Sequence, residues 1–265
     1  MRNILKDWFV EANIHGRDNA VLCETPSGTH PVRLKSPQSF LKIRGDGNRV
    51  ILRRSADSRK SAGRLPPGLA LTIRGNGNHV VLGDVRFVKS AISLTGDGCR
   101  FEIGATEDPI REVSIWIADG GSVRIGRNFG PQERLKIVVD NDAETKHKLV
   151  IGDDVLTAVD TVIRTSDGHS LVDPATGMPM NEPQDVIIGN RVWIGTRCTI
   201  LKGSVLADGC VVGANSLVKG KFPEPRLLLV GAPARVLRRG VQWDALPYGA
   251  LCEKRRREGK AESHA

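Results

Sequence analysis

The sequence predicts an all-β solenoid, a parallel β-helix of short strands stacked coil on coil, and three observations carry that prediction. An aliphatic residue recurs at every sixth position from Ile188 to Val218, through Ile194, Ile200, Leu206 and Val212. Four positions after each of the first five stands a short or compact residue: Val192, Cys198, Ser204, Cys210 and Ser216. Gly189, Gly195, Ala207 and Gly213 directly follow four of the six aliphatics. A helix repeats near 3.6 residues and a lone strand near 2, so six fits neither. It fits one side of a three-sided coil that winds back over itself. The aliphatic then fills the narrow interior and the small residue fits the corner.

The same beat runs upstream through Ile151, Thr157 and Ile163. Earlier still, a looser repeat reads LKIRGDGNRVIL from residue 41, LTIRGNGNHVVLGD from 71, ISLTGDGCRFEIG from 92 and SIWIADGGSVRIG from 114. Its Gly-Asp-Gly-Asn and Gly-Asn-Gly-Asn cores are turn sequences, because Gly and Asn enter positive φ at low cost. One solenoid is therefore expected from about residue 38 to 236, with 1–37 as an N-terminal cap and 237–265 as a C-terminal segment ending in a disordered charged tail. Hairpins of a β-sandwich are the competing reading for the N-terminal half.

Composition narrows the function classes. Aromatics make up only 4% of the 265 residues, as suits a coil interior that admits aliphatics better than rings. The five cysteines are odd in number and lack CxxC spacing, which reads as reduced structural thiols rather than a disulfide framework or a zinc site. The first ten residues do not resemble a signal peptide, and no stretch approaches the roughly 20 apolar residues of a membrane span, so a cytoplasmic location is expected. The net charge of +9 is concentrated in residues 31–64, where ten Lys or Arg (Arg33, Lys35, Lys42, Arg44, Arg49, Arg53, Arg54, Arg59, Lys60 and Arg64) face Asp46 and Asp57. An anionic partner, either an acidic glycan or the inner membrane face, and a merely solvated basic surface are both compatible with that density. Nucleic acid is not expected, because no aromatics interleave with the cations as stacking platforms.

Between Ile163 and Ile188 the rhythm stops, and a segment rich in Pro, Gly, Asp and Ser forms an inserted loop, taken as 165–185. Its one imidazole, His169, stands between Asp167 and Asp173. Histidine is the usual general base near neutral pH, and a carboxylate can fix its tautomer. A solvated loop histidine is the plainer alternative.

The run SDGHSLVDPATGMPMNEPQDVIIGNRVWIGTRCTILKGSVLADGCVVGANSLVKG, followed by VGAPARVLR, resembles the hexapeptide-repeat acyltransferases, nearest the acetyl-CoA-dependent O-acetyltransferases of sugars and polysaccharides. The resemblance covers about 150–238 and rests on SDxH, VWIG with its Trp 24 residues after the His, GANS and GxPA. It implies a left-handed coil, against the usual right hand of parallel crossovers, and a homotrimer with acetyl-CoA in the groove between protomers. It implies His169 as general base and Trp193 beside the thioester, although Trp193 could equally cap the rung where the loop departs. Thr196 and Ala214 would offer backbone groups to the pantetheine arm, and Arg235 and Arg238 would reach the phosphates. A departure at Lys219-Gly220-Lys221 leaves the remaining basic contact at Lys219 or Lys221.

Asp140 and Asn141, in the rung before His169, could hydrogen-bond the acceptor or simply form a turn. No metal is expected: the γ-type carbonic anhydrases share the coil but need three zinc histidines, and only His147 and His169 lie in the later rungs. The competing functions are amino-sugar N-acetylation on the same fold and a non-catalytic scaffold or glycan-binding module.

Overall fold

The computed structural model describes residues 12–32, 39–55, 64–141 and 145–262, with side chains to 258. Among these the chain winds as a triangular coil whose three faces are parallel sheets. The first face has nine strands, from Ala12–His15 to Leu217–Val218, and the second has ten, from Gly28–Pro31 to Lys221–Phe222. The third is built mostly of two-residue strands such as Phe87–Val88, Gly130–Pro131 and Trp193–Ile194, and ends in the longer Leu228–Gly231 and Ala234–Arg238. Consecutive strands on a face are one full turn apart in sequence, so nearly every ladder joins one coil to the next.

The six-residue beat sits where the pattern requires. Ile194, Ile200, Leu206, Val212 and Val218 are buried on the axis, and Val192, Cys198, Ser204, Cys210 and Ser216 are buried in the corners. Burial raises the thiol pKa of Cys198 and Cys210 above the ordinary range, so neither is a ready nucleophile. Glycine after the aliphatic has a steric reason: a Cβ on Gly189 would stand 2.3 Å from Asp208 Oδ1 in the next coil.

Corners are held by side-chain ladders as well. Asn48 is fully buried; its Nδ2 donates to Gly75 O, and its Oδ1 accepts from Asn78 N–H and Nδ2–H. Asn78 hands the pattern on by accepting from Cys99 N–H. The GDGN and GNGN repeats are therefore one interlocked column.

Three expectations are corrected. Parallel pairing begins at Ala12 rather than near 38, because Ala12–His15 pairs with Phe40–Arg44 and Ala20–Thr25 with Arg49–Arg53. The capping element is Gly28–Pro31, which runs antiparallel along Ala20–Thr25 and closes the edge of the second face. At the other end the charged segment is helical, Tyr248–Glu262.

The basic segment is also not one patch. Arg54 is buried, donating to Gly83 O at 2.6 Å and lying 3.6 Å from Asp84. Arg53 pairs with Glu24 and Glu102. Arg33, Lys35, Arg59 and Lys60 lie outside the described residues.

The column makes a prediction. Asn48→Ala leaves the buried Asn78 N–H without its acceptor and should lower unfolding stability by about 2 kcal/mol, read as a fall in urea midpoint; an unchanged midpoint would show that the column is dispensable.

Candidate active site

The His169 loop leaves the first face after Val162–Arg164 and rejoins the second at Val186–Ile188. Its neck is closed by Gln184 N–H donating to Thr165 O at 2.9 Å. Its outer part is a small hairpin bridged between Val172 and Pro179. There the Asp173 carboxylate accepts from Ala175 N–H at 2.7 Å, so Asp173 shapes the turn and does not orient the histidine.

Between the loop and the coil lies a pocket of about 350 Å³ lined by Asp140, Asn141, Ser166, His169, Asn181 and Glu182, among others. The structure thus brings together His169 and the two acceptor candidates. Asp140 accepts from Ser166 Oγ at 3.2 Å. The Asn141 amide is occupied by Ala118 O and His147 N–H, which gives it a structural task even as it lines the wall.

Asp167 does something other than expected. Its carboxylate accepts from Lys202 Nζ at 2.6 Å and from Asn181 Nδ2 at 2.9 Å, rather than from the His169 ring. Asn181 Nδ2 also donates to the carbonyl of His169 at 2.8 Å, and its Oδ1 accepts from Leu171 N–H. Lys202, only 10% exposed, gives a second hydrogen bond to Asn181 O at 2.6 Å. Asp167 is therefore a fastener for the loop backbone that carries His169, and Lys202 is the post it is tied to. Sequence reasoning passed over Lys202 because it belongs to the next coil, three strands of sequence away from the motif.

The donor candidates gather elsewhere. Trp193 is 40% exposed on the third face, where Trp193, Val211, Leu228 and Arg238 are register partners on successive strands. Three strand spacings put Arg238 about 14 Å from Trp193 along the axis. Arg235 and Arg238 are exposed on Ala234–Arg238, which runs antiparallel beside Leu228–Gly231. Thr196 and Ala214 sit at the corner between the third and first faces; Asn215 N–H donates to Thr196 O at 2.8 Å. Lys219 is exposed at the corner between the first and second faces, away from this group.

Trp193 also has a partner the sequence did not announce. Trp243 packs at 6.2 Å between ring centroids, donates its Nε1–H to Arg191 O, and lies under the Arg191 guanidinium at 5.8 Å. The signal was available only as a lone Trp beyond the last repeat.

In a three-sided coil the His169 corner, between faces one and two, is opposite face three. One chain therefore does not bring His169 and Trp193 together. Leu171, Val172, Met178 and Met180 meanwhile project from the loop, each more than half exposed.

Residues 185–220 match the family model described as bacterial transferase hexapeptide (six repeats). The galactoside O-acetyltransferase of Escherichia coli (strain K12) is 32% identical over 127 residues, which are 48% of this chain and 59% of that protein. The matched spans of the first curated relatives are 38% to 59% of their own lengths. The polysialic acid O-acetyltransferase of Neisseria meningitidis is 30% identical over 187 residues, 67% of this chain and 80% of that one. The fold superposes on the crystal structure of the polySia specific acetyltransferase NeuO with a TM-score of 0.64, over 96% of this chain and 98% of that one at 22% identity. The chain belongs to the hexapeptide-repeat acyltransferase family, with its left-handed parallel β-helix.

The fastener has a pH signature. Lys202 and Asn181 hold the Asp167 carboxyl below the ordinary carboxylate range, so its contribution is complete above an ordinary Asp pKa of about 3.9 and is lost as pH falls below it. Protease cleavage or amide exchange in 165–185 should be slow at neutral pH and rise in acid. Lys202→Met should show the fast behaviour already at pH 7; equal protection in both proteins would refute the fastening role.

Proposed function

We propose that this protein transfers acetyl from acetyl-CoA to a hydroxyl of a sugar or polysaccharide, in a direct reaction with His169 as general base. The observation that carries the reading is the pocket in which the exposed His169 meets Asp140 and Asn141 at the end of a fastened loop. Membership of the acyltransferase family supports it, as do relatives named for O-acetyl transfer to galactosides and to polysialic acid.

A sugar hydroxyl attacks a thioester slowly, because it becomes a good nucleophile only as its proton departs. His169 takes that proton while the oxygen–carbon bond forms and the carbon–sulfur bond breaks. It then returns the proton to the departing sulfur, which leaves as the free thiol. Such assistance is worth typically about 10²–10⁴-fold. Backbone N–H groups near Thr196 and Ala214 are suited to the charge that develops on the thioester oxygen. Arg235 and Arg238 suit the nucleotide phosphates, with Lys219 a weaker candidate. The raised pKa of the buried corner thiols is consistent with transfer that involves no acyl-enzyme.

The donor row and the histidine lie on opposite sides of one chain, so a site using both requires a second copy. We infer a homotrimer in which each groove joins one protomer's third face to its neighbour's loop. The exposed apolar tip of that loop supplies a surface to cover. We infer a cytoplasmic location, which suits a reaction that draws on acetyl-CoA.

The test is free-thiol release from acetyl-CoA against neutral oligosaccharides, acidic oligosaccharides and amino sugars. His169→Ala should lower kcat by about 10²–10⁴-fold with CoA binding intact, and Arg235→Ala with Arg238→Ala should raise the KM for acetyl-CoA. Undiminished turnover in His169→Ala would remove the base, and transfer confined to amines would move the protein to the N-acetyltransferases. A folded protein that binds no CoA would favour the scaffold reading.

A further inference from the structure

The corner that carries the His169 loop continues through the preceding coils as a column of tight turns. The residues just before and just after each turn flank this corner, all but the buried Ala118 exposed or partly exposed, and their register is fixed by the ladders. On the first-face side the row reads His15, Arg44, Arg74, Thr95, Ala118. The next coil continues it at Asp140, which holds Ser166, and both residues line the pocket. On the second-face side the row reads Arg49, His79, Arg100, Ser122, Lys148. Lys148 then meets Asp185 at the foot of the loop.

Arg44, Arg49, Arg74 and Arg100 are exposed. None of them is in an ion pair among the described residues. The carboxylates of the same corner are differently placed. Asp46 accepts from the N–H and guanidinium of Arg17, and Asp97 accepts from the N–H of Asn76, so both are turned onto the preceding coil. Asp119 and Asp140 lie nearer the pocket. The corner is thus cationic over the coils of Arg44 to Arg100 and becomes mixed and polar as it approaches His169. From the coil of Arg44 to that of Ser166 is five strand spacings, about 24 Å.

We propose that this corner is a binding track for an acidic polysaccharide. Arg44, Arg49, Arg74 and Arg100 hold anionic sugars while a hydroxyl further along the same glycan lies at His169. Arginine is suited to the task because its planar fork takes a carboxylate by two parallel hydrogen bonds. The charges are strung along one edge at coil spacing, which fits a linear polyanion whose own charges repeat. The two rows contain no Phe, Tyr or Trp on which bases could stack, which disfavours nucleic acid. Only the last step, delivery of a hydroxyl to His169, rests on the acetyltransferase reading.

The experiment measures binding first and without acetyl-CoA, using oligogalacturonates and oligosialates of graded length. Dextran fragments, single-stranded DNA and phosphatidylserine vesicles are the comparison ligands. Affinity should grow with chain length until the glycan spans the track, and should fall as salt is raised. The quadruple variant Arg44→Gln, Arg49→Gln, Arg74→Gln, Arg100→Gln should bind the long acidic chains about tenfold or more weakly, and the quadruple Arg→Lys variant should recover most of the loss. Acetylation of a short acceptor should be unchanged in both. Length-independent binding, equal binding of dextran, DNA or vesicles, or an unaffected glutamine variant would overturn the track. Track binding with no acetyl transfer to any acceptor would instead sink the transferase reading and leave the track standing.

Discussion

Every coil must set its strands directly over those of the coil before, and the rest of the molecule follows from that registry. Backbone N–H and C=O groups leave each strand toward the next coil, so a strand out of step would strand both its own groups and its neighbours'. Where the strands shorten to two residues each face turns one aliphatic inward, which is why Ile194, Ile200 and Leu206 are buried on consecutive sides. Corners inherit the same constraint. Where coils touch through backbone, glycine is required; where they touch through a polar column, Asn48 and Asn78 supply donor and acceptor in alternation. Stability in such an array is passed from neighbour to neighbour.

Chemistry enters where the registry is allowed to lapse. The loop departs at a corner, not on a face, so neither flanking strand loses its ladder. A projecting loop is costly to hold still, and the chain holds it at two points: the neck at Thr165 and Gln184, and the Lys202–Asp167–Asn181 fastening. Both anchor points are on rigid coil. His169 is left exposed at the pocket while its backbone is tied down.

The fold was legible in the C-terminal half because each coil there has the same length, and identical spacing exposes itself as a period. In the N-terminal half the strands are longer and the coils unequal, so the turns were readable but the start of the solenoid was not. Residues 12–31 carry the first coil and its antiparallel cover without any aliphatic beat to announce them. The site was half legible. His169, Asp140 and Asn141 line one pocket, since adjacent rungs place adjacent motifs together. Asp167 was given the wrong task because sequence neighbours were taken for spatial partners, whereas its cation comes from the next coil. The buried Arg54 shows the same limit: a run of charges says nothing about which of them turns inward.

Stacked coils also make this molecule a ruler. A coil can be added or deleted only whole, since any fraction would turn the interior residues outward. Length along the axis is therefore quantised in steps of about 4.8 Å. The distance between the edge arginines and the histidine can be changed by such a step while the loop, its fastening and the pocket remain as they are. Descendants of this chain could lengthen or shorten this corner by gaining or losing coils upstream of Asp140, with no substitution among the residues that line the His169 pocket.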